Sequence, residues 1–166
     1  MTPLPPAVTG PGDGFRLTHP KVSERVALPS TATGGASSVL DIVLAPGGLL
    51  APVHTHRHED ETVYVAEGTV GAVLGEREIQ AGPGTVLFAP RGVRHTFWNA
   101  GTGTTRLAMV IAPGNLDAYF AGIDEAIGSI ADPDLNALLK HAEQFGISLD
   151  LGSVPDLGRR HRVALD

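Results

Sequence analysis

The chain has 166 residues, 42% of them hydrophobic, which is enough for one domain with a real core and too little for two of ordinary size. Its formal net charge is −6 and no apolar run approaches the length of a membrane span, so neither nucleic acid nor a membrane is an expected partner. The absence of cysteine excludes disulfide scaffolds, zinc fingers, iron–sulfur sites and thiol catalysis, while 21 Gly and 13 Pro cut the chain into short pieces and argue for an all-β body over a helical bundle.

Residues 1–14 hold four Pro and three Gly and read as a flexible N-terminal arm. No Lys or Arg precedes Arg16 and no apolar stretch follows the first Met, so no secretory signal is visible and a cytoplasmic protein is expected. From residue 15 to about 113 short β-type runs alternate with turn signals. Residues 38–45 are rich in β-branched side chains and stop at Pro46-Gly47-Gly48. Residues 62–66 end at Glu67-Gly68, and 70–74 end at Gly75-Glu76, a hairpin turn. Gly82-Pro83-Gly84 precedes a run at 85–89, Pro90 and Gly92 precede one at 95–98, and Asn99 leads towards 105–111. Strands at this spacing predict a sandwich or barrel, and barrel closure removes exposed edges.

Beyond Pro113-Gly114 the pattern turns helical over 114–147. Asn115 is a candidate cap for a helix carrying Leu116, Tyr119, Phe120, Ile123 and Ile127 on one face, with Asp117 in its first turn. Asp132 and Pro133 open a second helix with a stripe of Leu135, Leu138, Leu139 and Ala142, closed by Gly146. Residues 148–166 have weak periodicity and read as a C-terminal tail whose Arg159-Arg160-His161-Arg162 run is solvated.

Four of the seven histidines fall in the β region: His54, His56, His58 and His95. His54 and His56 are two apart, so in a strand both imidazoles share one face about 7 Å apart and can converge on one ion. Glu61 joins that face only if the polar stretch Arg57-His58-Glu59-Asp60 forms a turn or bulge. Three imidazoles and one carboxylate suit a divalent first-row metal and leave positions for substrate, water or dioxygen. On the His-x-His pair alone a solvated loop is an equal reading. His58 is expected in the turn, exposed or behind a ligand, and Glu59 and Asp60 are expected to face solvent.

The spacing Gly48-x5-His54-x-His56-x4-Glu61-x6-Gly68 resembles the first motif of the cupin superfamily, and Gly84-x5-Pro90-x-Gly92-x2-His95-x3-Asn99 resembles the second. All ten marked positions are present and in order. The resemblance implies a double-stranded β-helix, or jelly-roll, barrel over 15–113 with a short helical C-terminal extension. It implies His54, His56, Glu61 and His95 as ligands of one divalent metal per chain (Fe, Mn, Ni, Co or Zn), and Asn99 as a structural turn residue. The phrase HTHRHEDETVYVAEG and the helices after Pro113-Gly114 are similar to those of small bacterial cupins of the quercetin 2,3-dioxygenase-like group. That likeness implies a dioxygenase acting on a small aromatic or enolic molecule such as a flavonol, with Glu61 as both ligand and base. A non-oxidative metal-dependent isomerase, cyclase or decarboxylase, and a non-catalytic small-molecule-binding cupin, are the alternatives. Strand parity puts Val63 on the face of Glu61 and Phe97 on that of His95, which makes both expected pocket residues. Tyr64 and Trp98 have the opposite parity and are expected in packing or at the interface of a homodimer.

Overall fold

The computed structural model describes residues 3–129 and 132–165. Eleven strands and three helices follow one another: β1 (Phe15–Thr18), β2 (Val22–Leu28), β3 (Ser38–Leu44), β4 (Val53–His56), β5 (Asp60–Glu67), β6 (Val70–Leu74), β7 (Arg77–Ala81), β8 (Val86–Ala89), β9 (His95–Asn99), β10 (Thr105–Ala112), α1 (Asp117–Ile127), α2 (Leu135–Gln144), β11 (Ile147–Asp150) and α3 (Ser153–His161). The strands form two antiparallel sheets, one ordered β1-β2-β3-β10-β5-β8 and the other β11-β4-β9-β6-β7. The turn-punctuated strands predict a sandwich or barrel, and the two sheets have the jelly-roll architecture that the resemblance implies.

Alternation decides which side chains enter the barrel. In β3 Leu40, Ile42 and Leu44 are buried while Val39, Asp41 and Val43 lie at the surface. In β10 Leu107, Met109 and Ile111 enter while Arg106 and Ala108 face out. The β3–β10 register sets Leu44 opposite Thr105 and Leu40 opposite Met109, so both apolar rows meet on the inner face. Each large aliphatic side chain buried there stabilises the fold by roughly 1.5–3 kcal/mol. Outside, Asp41 ties the strands together by ion pairs to Arg25 at 3.3 Å and Arg106 at 2.8 Å.

Glycine is required at two points near the motifs. Gly68, between β5 and β6, has φ +77°, and an added Cβ would lie 2.4 Å from the Thr104 carbonyl oxygen. At Gly71 a Cβ would fall 2.1 Å from the Trp98 ring, so the indole packs directly on bare backbone. Asn99 is a structural turn residue: its amide donates to the carbonyls of Leu44 and Gly103 and its side-chain oxygen accepts from Gly101 N–H.

The C-terminal third departs from the sequence expectation in three places. The first helix starts one residue after its expected start, with Leu116 as the flanking residue, and Asp117 accepts from both Ser30 N–H and Ser30 Oγ at 2.7 Å. The second helix is capped by Asp134, which accepts from Ala137 N–H, instead of by Asp132. The stretch from 148 on, expected as a solvated tail, is built into the barrel. β11 extends the second sheet by pairing with β4, and α3 lays Leu157 against Trp98, Leu49 and Val53. Of the basic run, Arg160 pairs with Asp156 and Glu78, and His161 stacks on the Trp98 ring at 4.5 Å. Trp98 is therefore packed by its own chain, while Tyr64, of the same outward parity, remains exposed.

Candidate metal centre

Three strands bring the four motif residues together. His54 and His56 project from the same face of β4, and His95, the first residue of β9, pairs directly with His54. Glu61 comes from the other sheet, on β5, between Ile111 and Ala89. The bend at 57–59 separates two strands, so it moves the chain from one sheet to the facing one and turns Glu61 inward. One potential ligand atom from each of His54, His56, Glu61 and His95 lies within 4.8 Å of the others, and all four residues are buried.

Hydrogen bonds fix two of the imidazoles. His54 Nδ1–H donates to the Pro52 carbonyl at 2.9 Å and His95 Nδ1–H to the Val93 carbonyl at 2.8 Å. With Nδ1 engaged, Nε2 of each ring is the atom left for the centre. His56 Nε2 stands 3.0 Å from Glu61 Oε1 and His95 Nε2 stands 3.2 Å from Glu61 Oε2. His56 Nε2, His95 Nε2 and Glu61 Oε2 are nonetheless buried without a hydrogen-bond partner. Each such orphan costs about 1–3 kcal/mol. A divalent cation satisfies all of them at once, and three imidazoles with one carboxylate are a donor set it accepts.

The electrostatics agree with that role. Burial pushes the Glu61 carboxyl up, but the imidazoles of His56 and His95 outweigh it and hold the group well below the usual carboxylate range. Burial, reinforced by the neighbouring His95, lowers His54 to about 3, so its ring is neutral at physiological pH. Burial also acts to lower His95, but Glu61 overcomes it and raises the group. Imidazole ligands bind a cation only in their deprotonated form, so metal binding at this cluster competes with protons.

Neighbouring residues support the cluster. Glu59, expected to face solvent, is buried at 2% exposure with a carboxylate oxygen 3.7 Å from His56 Nδ1, on the side of the ring away from the centre. The turn that redirects the chain from β4 to β5 folds this residue back behind His56. His58 is exposed, as expected. Asp60 is part-buried and grips Arg91, accepting from its backbone N–H and its guanidinium at 2.8–3.0 Å. The next residue, Gly92, donates its N–H to the His56 carbonyl at 2.7 Å. These bonds tie the turn before His95 to the strand ends carrying His56 and Glu61.

The centre opens on a cavity of about 210 Å³ with mainly apolar walls. His54, His56 and Glu61 line it together with Tyr119, Phe120 and Ile123 of α1 and Leu138 of α2, and β1–β2, the 49–52 segment and β11 contribute further side chains. Val63 and Phe97, expected as pocket residues, share faces with Glu61 and His95 as parity requires, but neither lines this cavity: both are fully buried in the apolar cluster of the barrel. Phe97 is 6.0 Å from the His95 ring. The residue that sequence reasoning missed is Glu24, which lines the same cavity from β2. Its signal was a carboxylate at an apolar parity position, between Val22 and Val26.

The family described as "Cupin domain" matches residues 40–111, a span that contains the whole centre. A double-stranded β-helix carrying both complete motifs defines the class, and residues 40–111 form a cupin domain. It is 28% identical over 124 residues to quercetin 2,3-dioxygenase of Bacillus subtilis (strain 168), covering 72% of this chain and 36% of that protein. It is 32% identical over 92 residues to the tetracenomycin polyketide synthase protein TcmJ of Streptomyces glaucescens, covering 55% of this chain and 61% of that protein. Among solved structures it is similar to the polyketide cyclase RemF from Streptomyces resistomycificus, with a TM-score of 0.50 and 25% identity over 61% of this chain and 70% of that one. The chain thus spans between about a third and just under two thirds of the length of the curated relatives it matches. No helix among the described residues is long and apolar enough to cross a membrane.

Proposed function

We propose that the chain is a metal-dependent dioxygenase acting on a small, flat phenolic or enolic molecule, with His54, His56, Glu61 and His95 as the metal ligands. One observation carries this reading: a buried three-histidine, one-carboxylate cluster with unpartnered donor atoms faces an apolar cavity. Similarity to a quercetin 2,3-dioxygenase supports the substrate class. A divalent first-row metal held there supplies Lewis acidity and, where the ion is redox-active, access to dioxygen chemistry.

The chain's own residues supply the rest. Glu61, the carboxylate on the cavity wall, takes the proton of the substrate hydroxyl, whose acidity a bound cation would raise, and leaves an electron-rich oxygen on the ring system. The aromatic and aliphatic side chains of α1 and α2 cover the substrate and exclude water, which strengthens the electrostatic contacts within. The hydrogen bonds from His54 and His95 to backbone carbonyls hold the imidazoles oriented throughout. A second reading, a non-oxidative cyclase with the same ligands, is favoured by the likeness to TcmJ and to the polyketide cyclase RemF. A second copy of the chain, docked on the exposed outer face carrying Tyr64, Val86, Phe88 and Val110, completes this proposal as a homodimer.

The test is oxygen uptake by the metal-loaded protein with quercetin as substrate. Uptake in step with flavonol loss, abolished under argon, supports the dioxygenase. Flavonol binding with no uptake under any of the five metals rejects it in favour of the non-oxidative reading.

A further inference from the structure

Glu24 has no role in the metal centre, yet it is an acid in an apolar cavity. β2 alternates so that Val22, Glu24 and Val26 face the barrel interior, while Arg25 turns outward to Asp41. Both valines belong to the core cluster, and Glu24 is part-buried between them on the cavity wall. The sheet order places β3 and β10 between β2 and β5, and the register carries Glu24 through Ile42 and Leu107 to Val65, four residues along β5 from Glu61. Glu24 therefore stands three strands across the sheet from Glu61, on the wall of the same cavity. Among the described residues Glu24 makes no hydrogen bond and no ion pair, unlike Asp41, Asp60 and Asp117, each of which is satisfied by a cation or a backbone donor.

A carboxyl group on an apolar cavity wall, with no protein partner, is free to bond a polar group of whatever enters the cavity. We propose that Glu24 is a ligand-binding residue that hydrogen-bonds an oxygen of the bound molecule at the β2 wall of the cavity, apart from the metal ligands. This rests on the reading of the cavity as the substrate site and narrows the substrate class. The molecule carries one oxygen function towards His54, His56 and Glu61 and a second towards Glu24, separated by a flat apolar body.

The environment makes Glu24 a donor. Burial, with a smaller contribution from the negative charge of Glu61, pushes its carboxyl up to about 8. At neutral pH it is mainly the protonated acid, with one O–H to give. The other titratable groups on the same cavity are His19, held 3.8 Å from Asp124, Tyr119 on α1, and His54, His56 and Glu61 of the centre. The Tyr119 hydroxyl is also raised, by burial first and by Glu24 and Glu61 next, and stays protonated. Glu24 and Tyr119 thus offer neutral donors to the cavity.

Two measurements on the intact, metal-loaded chain test this, using flavonols under argon as probes. The first needs no ligand: infrared difference spectra of wild type against Glu24→Gln across pH. A protonated-carboxyl band at pH 7 that disappears in the variant supports the donor role. Its absence at pH 7 overturns that role. The second compares quercetin with 3-hydroxyflavone, which keeps the oxygens expected at the centre and lacks the distal hydroxyls. Wild type should prefer quercetin, Glu24→Ala should lose about threefold to tenfold in quercetin affinity with little change for 3-hydroxyflavone, and Glu24→Gln should retain most of it. Equal quercetin binding by wild type and Glu24→Ala overturns the inference and leaves the cavity reading standing. Failure of wild type to bind either flavonol overturns the cavity reading itself, and with it the place assigned here to Glu24.

Discussion

The strands that carry the two motifs and the elements that surround them follow different rules. β4, β5 and β9 hold four polar side chains in fixed relation, each locked by strand pairing, a carbonyl or a neighbouring carboxylate. β1, β2, α1 and α2 contribute mainly apolar bulk, with Glu24, Tyr119 and, in the β1–β2 turn, His19 as the polar exceptions on the cavity wall. The difference separates chemistry from selection. Binding a cation needs a donor geometry that few sequences satisfy, so it leaves a rigid spacing. Shaping a cavity needs volume and one or two polar contacts, which many sequences supply, so it leaves none.

Substitutions within the motif strands should break the chemistry and spare the fold. His95→Ala removes a ligand at a fully buried position, so metal content should fall from one ion per chain to well below stoichiometric, read by elemental analysis, with the far-ultraviolet circular dichroism unchanged. Glu61→Gln keeps the shape and an oxygen donor but loses the base. Turnover should drop by about 10²-fold or more while metal occupancy falls far less, as steady-state kinetics and metal analysis together will show.

Substitutions in the surrounding elements should do the reverse. Leu157→Ala empties a site under Trp98, remote from the ligands, and should destabilise the protein by about 2–5 kcal/mol. Thermal unfolding should shift down by on the order of 10 °C, with metal stoichiometry intact. Glu59→Gln lies on the boundary between the two groups. It weakens the negative charge behind His56, and metal affinity should fall about tenfold in a competitive chelator titration.

The smallest effect expected is a pH dependence. The Arg91 guanidinium and backbone N–H hold the Asp60 carboxyl at about 2, below its ordinary value of about 3.9. A carboxyl lowered in the folded state stabilises it above the unfolded pKa, and this contribution disappears as pH falls from about 4 to about 2. Asp60→Asn should therefore show a shallower loss of stability over that range in acid unfolding than the wild type.

The same contrast explains what was legible in the sequence. Leu40, Ile42 and Leu44 alternate without interruption, so β3 was plain, and the spacing of His54, His56, Glu61 and His95 was specific enough to carry the centre. β11 was not plain: four residues, Ile147–Asp150, are too few for a pattern, and they are a strand because β4 offers them an edge. α3 contains Pro155 and Gly158 within nine residues, a poor helix by propensity. Its proline sits in the first turn, where it is tolerated, and the helix is held by Leu157 under Trp98 and by the Asp156–Arg160 pair. Asp132 and Asp134 flank Pro133 alike, and only the docking of α2 selects the second as cap. Glu59 lay in a run of polar residues that reads as solvated, and its burial comes from the turn, which composition does not reveal.

The central claim is that the four-residue cluster holds one divalent cation. Elemental analysis of the purified protein, repeated after reconstitution with each of iron, manganese, nickel, cobalt and zinc, tests it most directly. One ion per chain, released on acidification with uptake of protons by the protein, is the result this account predicts. A chain that takes up none of the five contradicts it.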